Sequence, residues 1–229
     1  VLLTNTFQAS APALERDGIA PSAAEVNRAA VDNARAAHGE VVVGSIGPCG
    51  IEWMCEDSPE FRAARAAYRE QATALLTAGV DAVMLETFCS IRDLQPALAG
   101  AADAAWGMPI MVSFAINEDG ELLGDGLTIE GAVVFAEKHG AHAVGVNCCS
   151  IAAADAAVPR LVRAARTPVM VRPNAGLPLR AEDGSLAWHE EPMSFANACI
   201  RWREAGAHLV GACCGATPRT TAAMSDALL

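Results

Sequence analysis

Short apolar runs rich in β-branched residues recur along the chain, separated by longer alanine-rich stretches whose apolar positions follow a helical period. The runs fall at residues 1–4, 41–46, 82–85, 109–114, 143–146, 168–171 and 208–211. They are continuously apolar rather than alternating, the pattern of parallel strands covered on both faces. The stretches between them predict helices over 21–38, 58–78, 128–139, 152–166, 192–205 and 217–227. Helix ends carry matching signals. Ser22, with Glu25 three residues on, has capping-box spacing. Ser58-Pro59 puts proline at a first helical position. Gly79, Gly140 and Gly206 each stand where a helix must turn into the next strand. Residues 180–191 read as a polar loop.

Seven strand–helix units predict an α/β fold, either a doubly wound sheet or a (β/α)8 TIM barrel. No Gly-x-Gly-x-x-Gly follows a strand, so a dinucleotide fold has no support. The regular count favours the barrel with one unit missing, built as a single domain over residues 1–229. In both architectures chemistry collects at the C-terminal strand ends.

Three of those ends are rich in carboxylate or cysteine: Glu86-Thr87-Phe88, Asn147-Cys148-Cys149 and Cys213-Cys214-Gly215. Neighbouring strand residues point to opposite faces, so Cys213 and Cys214 can share one ion only if the backbone turns there, and Gly215 eases such a turn. With Cys148 they would make a three-thiolate zinc site with an open fourth position. The competing reading is that these are small core residues near strand ends, since free cysteine is often buried. If Cys148 faces a metal, Cys149 should face away. Cys89 and Cys199 read as core, and Cys49 and Cys55 as loop residues on the active rim. Glu86 ends an apolar run, where a carboxylate needs a partner. That partner is either a substrate ammonium group or a neighbouring arginine or backbone amides. His38, His139, His142 and His208 flank helix C-termini, where positive charge suits the dipole, and His189 lies in the polar loop. Trp53 and Trp188 fall in rim loops, as pocket walls or as hydrophobic anchors. No Gly-x-Ser-x-Gly elbow is present.

Composition narrows the choices. Apolar residues make up 52% and charged residues 19% of 229, which excludes disorder as the main state. A net charge of −11 opposes binding to nucleic acid or to anionic membranes. Residues 104–116 come nearest to a membrane span, but Gly107 and Pro109 interrupt them. The eight cysteines include two adjacent pairs, a poor geometry for disulfides. They fit a reduced, cytoplasmic protein better than a stapled secreted one. The chain opens at once on Val1-Leu2-Leu3 with no secretion signal, so it reads as an interior cut through a longer protein.

The ordered set Thr4-Asn5-Thr6-Phe7, Gly44-Ser45-Ile46-Gly47-Pro48, Gly145-Val146-Asn147-Cys148 and Gly211-Ala212-Cys213-Cys214-Gly215 resembles the zinc-dependent homocysteine S-methyltransferase family. That family includes betaine–homocysteine methyltransferase and the homocysteine module of cobalamin-dependent methionine synthase. Pro173-Asn174-Ala175-Gly176-Leu177-Pro178 is most like the methionine-synthase branch. The resemblance implies a TIM barrel lacking its first βα unit, with Zn2+ held by Cys148, Cys213 and Cys214. It implies Glu86 as the contact to the homocysteine amino group, with Thr4 and Asn147 near the bound amino acid. The implied partners are homocysteine and a methyl donor: methylcobalamin, S-methylmethionine, S-adenosylmethionine or betaine. The open barrel edges predict self-association or partner domains of a longer chain. Two other readings stand beside the enzyme. One is a non-catalytic truncated barrel or zinc-binding module without transferase activity. The other is a thiol-redox protein, which the absence of Cys-x-x-Cys weakens.

Overall fold

The computed structural model describes residues 1–104, 107–176, 178–181, 183–188 and 191–228. His189 therefore lies outside the described residues. The chain divides into two compact units, Val1–Val112 with Lys138–His142, and Ser113–Glu137 with Ala143–Leu229.

The first unit runs β1 (Leu2–Leu3), α1 (Ala11–Arg16), α2 (Ala23–Ala36), β2 (Val42–Ile46), α3 (Pro59–Ala78), β3 (Ala82–Phe88) and α4 (Ile91–Ala104). It then enters β4 (Ile110–Ala115). Its strands adjoin in chain order, with β1–β2 and β2–β3 parallel and Leu3 opposite Val43, Ser45 opposite Met84. Strand β2 is buried throughout, as its unbroken apolar run predicts. Both halves of the predicted capping box at Ser22 and Glu25 form. Ser58 caps α3, and Gly79 closes it with φ +95°.

Helix α4 was absent from the sequence-based expectation, because Pro96 in its second turn removes a backbone donor. Burial of Leu94, Ala97, Leu98 and Ala101 on one face outweighs that loss. Gly100 lets the helix lie directly on α3, since a Cβ there would come within 2.4 Å of the Arg65 carbonyl.

The second unit holds the rest of β4, then α5 (Ile129–Lys138, its last residue in the first unit), β5 (Ala143–Asn147), α6 (Ile151–Ala164) and β6 (Val169–Arg172). It ends with β7 (Pro178–Arg180), β8 (Leu186–Trp188), α7 (Pro192–Glu204), β9 (Leu209–Val210) and α8 (Pro218–Leu228). Strands β4, β5, β6 and β9 adjoin in that order, and the β5–β6 and β6–β9 pairs are parallel. At Gly145 a Cβ would lie 2.1 Å from the Met170 carbonyl, so β5 and β6 approach too closely there for any side chain.

The expected polar loop at 180–191 is in part an antiparallel hairpin, with Leu179 opposite Ala187. Its turn contains Asp183-Gly184, with Gly184 at φ +83°, and Ala181 N–H bonds to Ser185 O at 2.8 Å. Asp-Gly is a hairpin signal that the polar composition obscured. The architecture is thus α/β, with seven helix-separated strands in chain order and a small hairpin inserted after β6. Among the described residues no helix is long and apolar enough to cross a membrane.

Candidate active site

In the second unit the predicted cysteines converge. Strand β5 ends at Asn147, and the backbone turns at Cys148 with φ +53°. A non-glycine residue held there is strained, a feature that clusters at functional sites. Cys148 Sγ lies 3.1 Å from Cys213 Sγ and 4.0 Å from Cys214 Sγ, and the last two sulfurs are 3.9 Å apart. All eight cysteines are free thiols.

Residues after β6 tie the two cysteine turns together. Asn174 N–H bonds to Cys149 O at 2.9 Å, Cys213 N–H to Pro173 O at 2.8 Å, and Ala175 N–H to Cys214 O at 2.9 Å. Gly215 turns with φ +79°, as expected, and lies against the Trp188 ring. Trp188 sits in β8, not in a loop. The Pro173–Ala175 strap was legible as a strand end but not as a brace.

Asn147 is fully buried and donates from Nδ2 to Cys213 Sγ at 3.8 Å. Cys149 is buried, apart from its more exposed neighbour, and burial pushes its thiol up to about 12. Burial and then the adjacent Cys213 raise the Cys214 thiol above its ordinary value. Crowded thiols resist losing protons unless a cation offsets the charge, and three sulfurs are a soft donor set. Tetrahedral zinc with Zn–S bonds of about 2.3 Å separates its sulfurs by about 3.8 Å. Two of the three spacings match that value, and the third is shorter. Asn174 Oδ1, buried and without a hydrogen-bond partner, adds an oxygen acceptor on the strap. These residues could hold a zinc ion.

Glu86 and Thr4 lie in the first unit, both buried, and one hydrogen-bond chain joins them. Ser45 Oγ donates to Glu86 Oε1, and Ser45 N–H donates to Thr4 Oγ1 at 3.0 Å. Thr4 Oγ1 meets Thr6 Oγ1 at 2.6 Å, and Thr6 Oγ1 donates to Ser45 O at 2.6 Å. Directly after Glu86, Thr87 has φ +64°. A β-branched residue there is a marked outlier, and like Cys148 it adjoins a predicted site residue near the end of its strand. The three predicted substrate residues therefore divide: Thr4 and Glu86 share one network, while Asn147 joins the cysteines.

Other candidates settle into structure. Cys199 is buried as expected, while Cys89 is only half-buried. Cys49 is buried under Tyr68, whose hydroxyl accepts from Cys49 N–H at 2.9 Å, and Cys55 is exposed. Trp53 anchors its loop edge-on against Phe61 at 4.9 Å. His142 and His208 accept backbone N–H groups of Ile110 and Val169 through Nδ1, each at 3.2 Å. They tie strand starts together, a structural role of the kind expected for them.

Comparison with known proteins matches residues 1–228 to the homocysteine S-methyltransferase family. The chain is 34% identical to methionine synthase of Mycobacterium leprae over 187 residues, covering 79% of the chain and 15% of the relative. It is 32% identical to homocysteine S-methyltransferase of Escherichia coli over 196 residues, covering 80% of the chain and 61% of that protein. It thus spans less than two thirds of either relative. The metallated form of the homocysteine methyltransferase MmuM from Escherichia coli superposes with a TM-score of 0.78 at 26% identity, covering 98% of this chain and 78% of that one.

Proposed function

Because the chain belongs to the homocysteine S-methyltransferase family, we propose that it moves a methyl group from a donor to the sulfur of homocysteine, giving methionine. The observation that carries this reading is the convergence of Cys148, Cys213 and Cys214, with sulfurs all within 4.8 Å of one another. Zinc bound by three thiolates keeps a fourth position and lowers the pKa of a thiol that enters it, supplying a nucleophilic sulfur at neutral pH.

The chain's own residues hold and orient. Cys148, Cys213 and Cys214 would bind the metal, and Asn147, donating to Cys213 Sγ, would steady that sulfur. Glu86 takes the homocysteine amino group. In the transfer the homocysteine sulfur forms a bond to the methyl carbon. The bond from that carbon to the donor breaks, and its electron pair leaves with the donor. The thiol proton departs to solvent when homocysteine binds. The donor is one with an electrophilic methyl group, drawn from methylcobalamin, S-methylmethionine, S-adenosylmethionine and betaine. We read the framework as a TIM barrel to which these residues contribute seven strands. The eight free thiols fit a cytoplasmic setting.

Elemental analysis of the reduced chain beside Cys214→Ser tests the reading, with methionine formation followed for each donor. We expect about one zinc per chain, lost in the variant, and methionine from at least one donor. A folded, reduced chain that takes up no zinc overturns the proposal.

A further inference from the structure

The hydroxyl protons around Glu86 can be assigned from their partners alone. Thr6 Oγ1 lies 2.6 Å from the Ser45 carbonyl, which can only accept, so the Thr6 proton is spent there. In the 2.6 Å contact between the two threonine hydroxyls, Thr4 must then be the donor. The Thr4 oxygen accepts in turn from Ser45 N–H at 3.0 Å. Ser45 Oγ gives its proton to Glu86 Oε1. Every hydroxyl proton of the three side chains is committed inside the cluster.

The four residues are at most 6% exposed, so water has little access to compete for these bonds. Strand register builds the cluster. Leu3 opposite Val43 brings Thr4 alongside Ser45, and Ile46 opposite Leu85 brings the end of β2 alongside Glu86. Behind the cluster, Gln71 Nε2 donates to Thr6 O at 2.8 Å and fixes the β1 end.

We infer that Ser45 is a positioning residue that aims the Glu86 carboxylate, and that Thr4 and Thr6 brace Ser45 rather than donate to substrate. The consequence concerns ligand class. A group meeting this cluster finds acceptor oxygens and no spare hydroxyl proton, so it must bring donors of its own. A primary ammonium does so, whereas a carboxylate or carbonyl does not. This deepens the homocysteine reading and rests on it for the identity of the ligand.

Two measurements separate the inference from that reading. The first compares binding of homocysteine and of 4-mercaptobutanoate, the same thiol without its amino group, to the zinc-loaded chain by calorimetry. Ser45→Ala should lower the preference for homocysteine about tenfold. Zinc content and 4-mercaptobutanoate binding should be unchanged, and Ser45→Thr should keep the preference. An equal loss for both thiols, or an unchanged preference, overturns the inference. The second measurement is a crystal structure of Ser45→Ala without ligand. A displaced Glu86 carboxylate supports positioning, and a carboxylate left in place overturns it. If the unmodified chain binds neither thiol, the homocysteine reading falls, while the crystal structures still decide the role of Ser45.

Discussion

Gly215 answers two demands at once. Its φ of +79° suits glycine, and a Cβ there would lie 2.5 Å from Trp188 Cε3. Gly18, at φ +67°, has nothing within 4 Å of the same position. Alanine costs about 1–2 kcal/mol in left-handed backbone at either site, but only at 215 must a packed ring move beside two cysteines. Gly215→Ala should therefore weaken zinc binding at least tenfold, the scale of a disturbed supporting shell. Gly18→Ala should lower stability without touching the metal. Titration against a competing chelator reads both, and equal zinc affinity in the two variants would remove Trp188 from any role in shaping the turn. The cysteine triad itself was legible, because cysteines at strand ends in a parallel fold must share one rim. The Ser45 cluster was not. It depends on which residues of β1, β2 and β3 stand side by side, and apolar runs reveal strands without revealing their register.

Helices α6 and α7 are joined by one carboxylate. Asp155 accepts from Trp202 Nε1 and from Arg201 at 2.7 Å each. Trp202 is 1% exposed, whereas the Arg201 side chain is 52% exposed. Removing the carboxylate leaves an indole N–H that water reaches poorly, so Asp155→Ala should cost about 1–2 kcal/mol. Arg201→Ala gives up only a surface pair and should cost less than about 1 kcal/mol. Asp155→Asn keeps an acceptor and should fall between them. Urea denaturation ranks the three, and an Arg201→Ala loss as large as that of Asp155→Ala would reverse the assignment. Element by element, strands and most helices were readable because apolar period and caps agree. Helix α4 was hidden by Pro96, whose missing donor is offset by packing on α3 that no local signal records. The β7–β8 hairpin was hidden because its strands are only three residues long, too short to show an alternating pattern, so only the Asp183-Gly184 turn marked it.

Acid should act on the whole chain in two opposed stages. With a formal charge of −11 at pH 7, the folded state repels itself, and mild acidification relieves that repulsion. Against it stand carboxylates whose folded pKa lies below the ordinary value. Asp17 is lowered by Arg16, Glu25 by Ser22, Asp81 by the Val42 N–H and then Arg35, Asp103 by Arg65, Glu130 by Arg160, and Asp183 by Ser185. A depressed folded pKa means that the unfolded chain takes up protons first as pH falls. The contribution is therefore complete above the unfolded values of 3.8 for Asp and 4.5 for Glu. It is lost as pH falls from there through the folded values. Above that window the pairs are intact, and both the easing of repulsion and the thiols of Cys149, Cys199 and Cys214, raised in the folded chain, favour the lower pH, so stability should hold level or rise gently from pH 8 toward 5. Below it the pairs go while positive charge accumulates, and stability should fall, as the sum of small contributions from solvent-screened surface groups. Urea midpoints on the metal-free, reduced chain read this curve without the proton release that accompanies metal binding. Added salt should flatten the upper stage. Asp81→Asn should shallow the acid drop, because Asp81 accepts from the Val42 backbone N–H at 2.7 Å, which the amide oxygen can still satisfy without titrating. A drop of undiminished steepness in Asp81→Asn would place the acid sensitivity elsewhere among the paired carboxylates.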